Sequence, residues 1–189
     1  MKNSTAVIMA GGKSSRMQQD KALLPFGNFS TLAEFQYGRL EKFFSQVYIA
    51  AKSNKFDFEV NIIEDNYEIS SPLVALISIF ETLEVNEVFV LSVDSPFVSE
   101  EVIRELYTHQ NDEADIIIAE SYRGLEPLCA IYRRSFLTTA YDALTMNNHR
   151  LQALFERLRV ISVKIEDKDS FLNLNYPLEY EEAKLKLSL

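Results

Sequence analysis

Ala6-Val7-Ile8-Met9-Ala10-Gly11-Gly12-Lys13-Ser14-Ser15-Arg16-Met17, with Asp20-Lys21 close behind, anchors the sequence. Five apolar residues in a row, Ala6 to Ala10, suit a strand covered on both faces. The run ends at Gly11-Gly12, where the chain can turn with positive φ and present bare backbone N–H groups to a ligand. Lys13, Arg16 and Lys21 follow with Asp20 as the single acid among them. Backbone donors beside fixed positive charge suit a polyphosphate, because each offsets charge on phosphate oxygens. The spacing is not that of a Walker A loop, and Lys21 lacks a following Ser or Thr. Nor is it Gly-x-Gly-x-x-Gly, so a dinucleotide fingerprint is absent. A plain glycine turn with solvated charges behind it is the competing reading of the same letters.

Working outward, the 189 residues suffice for one domain with a sizeable core, and 47% of them are hydrophobic, which excludes a disordered chain. No stretch approaches the ~20 apolar residues of a membrane span, and the first apolar run is too short for a signal peptide. We therefore expect a cytoplasmic protein without a membrane partner. The net charge of −9 argues against nucleic-acid binding but leaves room for a nucleotide held by a local cationic loop. A single cysteine, Cys129, excludes an internal disulfide. With His109 and His149 far apart, no zinc site of ordinary spacing can be drawn.

Further strands are expected at Gln46–Ala51, Glu59–Glu64, Glu87–Val93, Asp115–Ala119, Leu128–Tyr132 and Val160–Ile165. Between them, Thr31 to Glu34 has capping-box spacing, Ser70-Ser71-Pro72 reads as a capped helix start, and Ser99 can cap a helix running to about His109. Phe136–Thr145, Arg150–Leu158 and Pro177–Leu187 complete the helices. Strands alternating with helices at this spacing imply βαβ units and one α/β domain spanning residues 1–189. Its central sheet is mostly parallel, with helices on both faces. In such sheets ligands bind outside the carboxyl ends of the strands. That rule selects Gly11-Gly12, Asp65 and Asp94. Two isolated aspartates on one rim provide the few hard oxygen ligands that a Mg²⁺–nucleotide site uses. Turn-forming roles are the alternative for both aspartates.

Ala10-Gly11-Gly12-x-x-x-Arg16-Met17 with a lysine shortly after resembles the signature loop of nucleotidyltransferases that join an NTP to a phosphorylated small molecule. Sugar-phosphate and methylerythritol cytidylyltransferases typically carry Pro-Lys in its second half. Asp20-Lys21 instead is similar to the molybdenum cofactor guanylyltransferases, and that resemblance extends over nearly the whole chain. It implies a Rossmann-like nucleotidyltransferase fold and a set of nucleotide-binding residues. These are Met9, Ala10, Gly11 and Gly12 in the position of Leu-Ala-Gly-Gly, Lys21 in that of the GTP-contacting lysine, and Asp65 within Ile63-Glu64-Asp65. Asp94, in Val93-Asp94-Ser95-Pro96, falls on the Mg²⁺-binding aspartate. Ser71-Pro72-Leu73-Val74-Ala75 resembles Gly-Pro-Leu-Ala-Gly with both glycines lost, and Glu126-Pro127-Leu128 resembles His-Pro-Thr. Asn173 and Asn175, in Asn173-Leu174-Asn175-Tyr176-Pro177, match the acceptor-side Asn-Val-Asn-x-Pro. The family asparagine after the second strand has no counterpart in Ile49-Ala50-Ala51-Lys52.

The implied reaction is transfer of GMP from GTP to molybdopterin already carrying molybdenum, with pyrophosphate leaving. Arg16, Lys21 and Asp94 would be the catalytic residues, Asp94 the metal ligand and Mg²⁺ the cofactor. Molybdenum-inserting and molybdoenzyme-maturation proteins are the implied partners. Two other readings use the same residues: a CTP-dependent molybdopterin or sugar-phosphate cytidylyltransferase, and a non-catalytic pterin or nucleotide carrier. A carrier, however, would not need Asp94 as a metal carboxylate.

Overall fold

The computed structural model describes residues 4–11 and 19–187. Seven strands form one sheet: β1 (Thr5–Met9), β2 (Gln46–Ala51), β3 (Ile62–Glu64), β4 (Glu87–Ser92), β5 (Ile116–Ser121), β6 (Gly124–Arg133) and β7 (Val160–Lys164). The helices are α1 (Leu32–Leu40), α2 (Pro72–Thr82), α3 (Glu100–Thr108), α4 (Phe136–Thr145), α5 (Leu151–Phe155) and α6 (Pro177–Leu187). Two 3₁₀ turns, Lys21–Leu23 and Asp169–Phe171, complete the elements. The strand order is β3-β2-β1-β4-β6-β5-β7. The expected α/β architecture is present, and the sheet is parallel except at β6, which runs against both β4 and β5.

Alternation along the strands sends side chains to two cores, because successive Cβ atoms point to opposite faces. Ala6, Ile8, Phe89, Leu91 and Ile117 pack with α1, α3 and α6 on one face. Val7, Met9, Val88, Val90 and Ile116 pack with α2, α4 and α5 on the other. Every residue of β1 is buried, as its unbroken apolar run requires. Among the described residues no helix is long and apolar enough to cross a membrane.

Local chemistry sets the helix starts. Thr31 caps α1 by accepting from the Glu34 amide at 3.0 Å. The Glu34 carboxylate reaches back to the Ser30 amide, one residue earlier than a strict capping box. Ser71 caps α2 through the Val74 amide at 3.2 Å, with Pro72 in the first turn. Ser99 caps α3 through the Val102 amide. A side-chain cap of this kind contributes about 1 kcal/mol.

Three segments depart from the sequence reading. The third strand is only Ile62–Glu64, because the residues before it run irregularly with Phe56 and Phe58 against the core. The fifth helix shortens to Leu151–Phe155. Lastly, Leu128–Tyr132 is the inner part of a ten-residue β6.

Candidate active site at the carboxyl rim

The rim is built where β1 and β4 end side by side. Val93 N donates to Met9 O at 3.1 Å, and Ala10 N donates to Ala50 O at 2.9 Å, so Ala10 and Asp94 leave neighbouring strands together. Met9 and Ala10 are buried and support this junction from behind. Gly11 is exposed, and a Cβ there would meet nothing within 4 Å. The expectation of positive φ fails at Gly11, since Gly27 and Gly124 are the glycines that adopt it among the described residues. A strand-like hydrogen bond continues through Ala10, and Gly11 leaves open space in front of the backbone. Gly12 and Arg16 lie outside the described residues.

Asp20 opens the 3₁₀ turn by accepting from the Ala22 amide at 3.1 Å, which places Lys21 over the rim. Lys21 Nζ donates to Asp94 Oδ2 at 2.5 Å and to Asn175 Oδ1 at 3.0 Å. The other carboxylate oxygen of Asp94 accepts from Ser92 Oγ at 2.6 Å. Leu174 N donates to the Asp94 carbonyl at 3.0 Å, and Ser95 Oγ donates to Asn173 Oδ1 at 2.8 Å. Glu179, in the first turn of α6, accepts from the amides of Asn175 and Tyr176 at 2.7 and 2.9 Å. Lys21, Asp94, Asn173 and Asn175, selected from distant parts of the sequence, therefore meet.

Asp65 takes a different position. It follows β3, and its amide donates to Ala51 O at 3.3 Å. Among the described residues its carboxylate has neither a hydrogen bond nor an ion pair. Burial raises its pKa, and the positive charge of Lys52 opposes that rise. The structure thus leaves Asp65 apart from the Lys21–Asp94 pair.

Three further features frame the site, and of their residues only Glu126 lies in a segment matched to the family, Glu126-Pro127-Leu128. Beneath Asp94 lies a polar pair on α1, buried Gln36 and partly buried Arg39. Gln36, fully buried, donates through Nε2 to the carbonyls of Ser92 and Ser95 at 3.3 and 3.0 Å. Arg39 donates to Gln36 Oε1 at 2.7 Å and to Val98 O, while burial lowers its pKa to about 10. These bonds fix the main chain that carries Asp94. On β6, Glu126 accepts from Ser121 Oγ at 2.6 Å. Burial raises its pKa and the charge of Asp94 adds to the rise, against the opposing effects of Ser121 and Arg123. A second carboxylate thus faces the rim. Finally, Lys55, from the connection between β2 and β3, contacts both Asp20 and Ala10. The lost glycines at 71 and 75 are replaced by the α2 cap, whose Ser71 hydroxyl lies 3.0 Å from His149 Nδ1, and by buried Ala75.

Residues 6–162 match the model of the MobA-like NTP transferase domain family. A Campylobacter jejuni protein named molybdenum cofactor guanylyltransferase is 40% identical, over 96% of this chain and 95% of its own length. A Helicobacter pylori protein of the same name is 34% identical, over 96% and 92%. Among solved structures, molybdopterin-guanine dinucleotide biosynthesis protein A from Archaeoglobus fulgidus superimposes with a TM-score of 0.82 at 23% identity, covering 97% of this chain and 98% of that one. The 2-C-methyl-D-erythritol 4-phosphate cytidylyltransferase of Thermus thermophilus reaches 0.72 at 14% identity, with each chain covered in full. The structural likenesses establish the nucleotidyltransferase fold.

Proposed function

Since the chain belongs to the MobA-like NTP transferase family, we propose that it transfers GMP from GTP to molybdopterin, with the whole of residues 1–189 acting as one nucleotidyltransferase domain. The observation that carries this reading is the meeting of Lys21, Asp94 and Asn175 at the rim where β1 and β4 end. A terminal phosphate oxygen of molybdopterin attacks the α-phosphorus of GTP. A new P–O bond forms, the bond between the α- and β-phosphates breaks, and pyrophosphate leaves with the electron pair. The attacking phosphate is largely ionised near neutral pH, its second pKa being about 6, so no side chain need remove a proton. The protein's contribution is positioning and neutralisation of charge.

The donor set fits a hard cation. Asp94 supplies carboxylate oxygens, and among the described residues there is no cluster of three or more acidic, histidine or cysteine side chains. One or two carboxylates completed by substrate phosphates and water is how Mg²⁺ is commonly held. Asp94 would hold it, and Mg²⁺ when bound supplies charge neutralisation on the phosphates. Lys21 offsets triphosphate charge from its own flexible stem, which can turn from Asp94 toward a phosphate. Met9, Ala10, Gly11 and Gly12 provide the backbone approach for the nucleotide, and Arg16 adds a second cation. Asp65 stands on the nucleotide side, with Asn173 and Asn175 on the acceptor side. We place the reaction in the cytoplasm, with molybdenum-inserting and molybdoenzyme-maturation proteins before and after it.

The test is pyrophosphate release with Mg²⁺, molybdenum-loaded molybdopterin and each of the four NTPs in turn. Release with GTP alone is the expected result. Release with CTP alone would move the base assignment, and GTP binding without release from any nucleotide would replace the enzyme by a carrier.

A further inference from the structure

Lys55 belongs to no motif, yet its ammonium touches both flanks of the signature segment. It donates to the main-chain carbonyl of Ala10 at 3.1 Å and to Oδ2 of Asp20. Ala10 directly follows β1, and Asp20 directly precedes the 3₁₀ turn that carries Lys21. One cation therefore bridges Ala10 and Asp20, which lie ten positions apart in the sequence. Asp20 is held at both carboxylate oxygens, since Oδ1 accepts from the Ala22 amide, and its main-chain oxygen accepts from Leu23 N at 3.0 Å. The adjacent Lys21 takes its place over Asp94 from this turn.

The base of Lys55 is itself rooted. Nζ lies 5.6 Å from the ring centroid of Phe56, which is buried in the core and packs on Phe58. Asn54 Oδ1 accepts from the Phe56 amide at 3.1 Å, and Asn54 N donates to Glu64 Oε1 at the end of β3. The ammonium is thus presented from a fixed point on the sheet. The side chains of Lys55 and Asp20 are 25% and 32% exposed, so an ion pair there serving stability alone would contribute little.

We propose that Lys55 is a positioning residue for nucleotidyl transfer: by tying the Ala10 carbonyl to the Asp20 carboxylate it sets Lys21 against Asp94. The proposal rests on the reaction assigned above. It also gives Asp20 a function that proline at the same place in related signatures could not share, because the tether needs a carboxylate.

The test compares Lys55→Met, Lys55→Arg, Asp20→Asn and the Lys55→Met/Asp20→Asn double variant in the full chain. We expect kcat/KM for GTP to fall roughly 10- to 100-fold in each of Lys55→Met and Asp20→Asn, the range a small misplacement can produce. The double variant falls no further than the worse single, and Lys55→Arg recovers part of the loss. Melting temperature stays near wild type, while amide hydrogen exchange at Ala22 and Leu23 accelerates in Lys55→Met. Wild-type kcat/KM in Lys55→Met, or additive losses in the double variant, would overturn the proposal. If the unmodified chain releases pyrophosphate from no NTP, the assigned reaction falls instead. Exchange at Ala22 and Leu23 then still decides the tether: acceleration supports it and an unchanged rate refutes it.

Discussion

The carboxyl ends of β3 and β4 each deliver one aspartate to the same rim, and the two differ in the partners that surround them. Asp94 has both carboxylate oxygens engaged, by Lys21 and by Ser92; Gln36 holds the main-chain carbonyls of Ser92 and Ser95 on either side of it, and Leu174 N donates to the carbonyl of Asp94 itself. Asp65 is half-buried with no such partners among the described residues, and burial pushes its pKa up. A carboxylate bonded at both oxygens is held in a defined orientation, which a metal or phosphate site requires. One whose desolvation outweighs the opposing charge of Lys52 is cheaper to neutralise. On the proposed reaction, the contrast makes β4 the expected carrier of charge handling and gives β3 at most a subsidiary part in nucleotide binding.

Removing the charge at β4 is the severest challenge to this contrast. Asp94→Asn keeps the shape and the Ser92 bond but loses the anion, and turnover should fall roughly 10²- to 10³-fold, as for loss of one preorganised electrostatic group. Steady-state pyrophosphate release measures it, with circular dichroism showing an intact fold. Lys21→Met comes next, at roughly 10²-fold in kcat/KM, with KM for GTP rising as well because the cation serves the bound triphosphate. An unchanged KM and kcat would end its assigned role. Asn175→Ala removes one anchor of Lys21 while leaving the ammonium, so a loss of about tenfold in kcat is expected, the effect of looser positioning.

The fold was legible where local chemistry alone sets an element. β2, α4 and α6 begin and end at the expected residues, and α2 starts at the expected Ser71-Pro72. The direction of β6 was not legible. A strand buried on both faces has the same apolar composition whichever way it runs, and its reversal depends on the short Tyr122-Arg123 connection with Gly124 at φ of 108°. Pro127 also obscured the strand. It sits beside the shift in register between β5 and β6, where a missing N–H is tolerated. At the site, Lys21, Asp94 and Asn175 were readable one by one, but Lys21 lies 73 positions from Asp94 and 154 from Asn175. Only the folded chain shows that they share hydrogen bonds. Gln36, Arg39 and Lys55 escaped notice because they act largely on main-chain carbonyls, which carry no residue identity.

Asp65→Asn should give the smallest effect and the most discriminating one. Activity should change by no more than a few-fold, read as KM for GTP, since the residue stands outside the Lys21–Asp94 network. Stability should move the other way. A carboxyl whose folded pKa is raised keeps its proton in the folded state at pH values where the unfolded chain has already released it. Folding stability therefore declines as pH rises through that window, and the full penalty applies above it. Asparagine carries no such penalty. The variant should melt at a higher temperature than the unmodified chain at neutral pH, and the gain should disappear once the pH falls below the ordinary carboxylate pKa of about 4. Thermal melts at the two pH values measure the difference. A loss of turnover as large as that of Asp94→Asn, with no gain in melting temperature, would mean that Asp65 holds charge for the reaction and that the two strand ends act as equals.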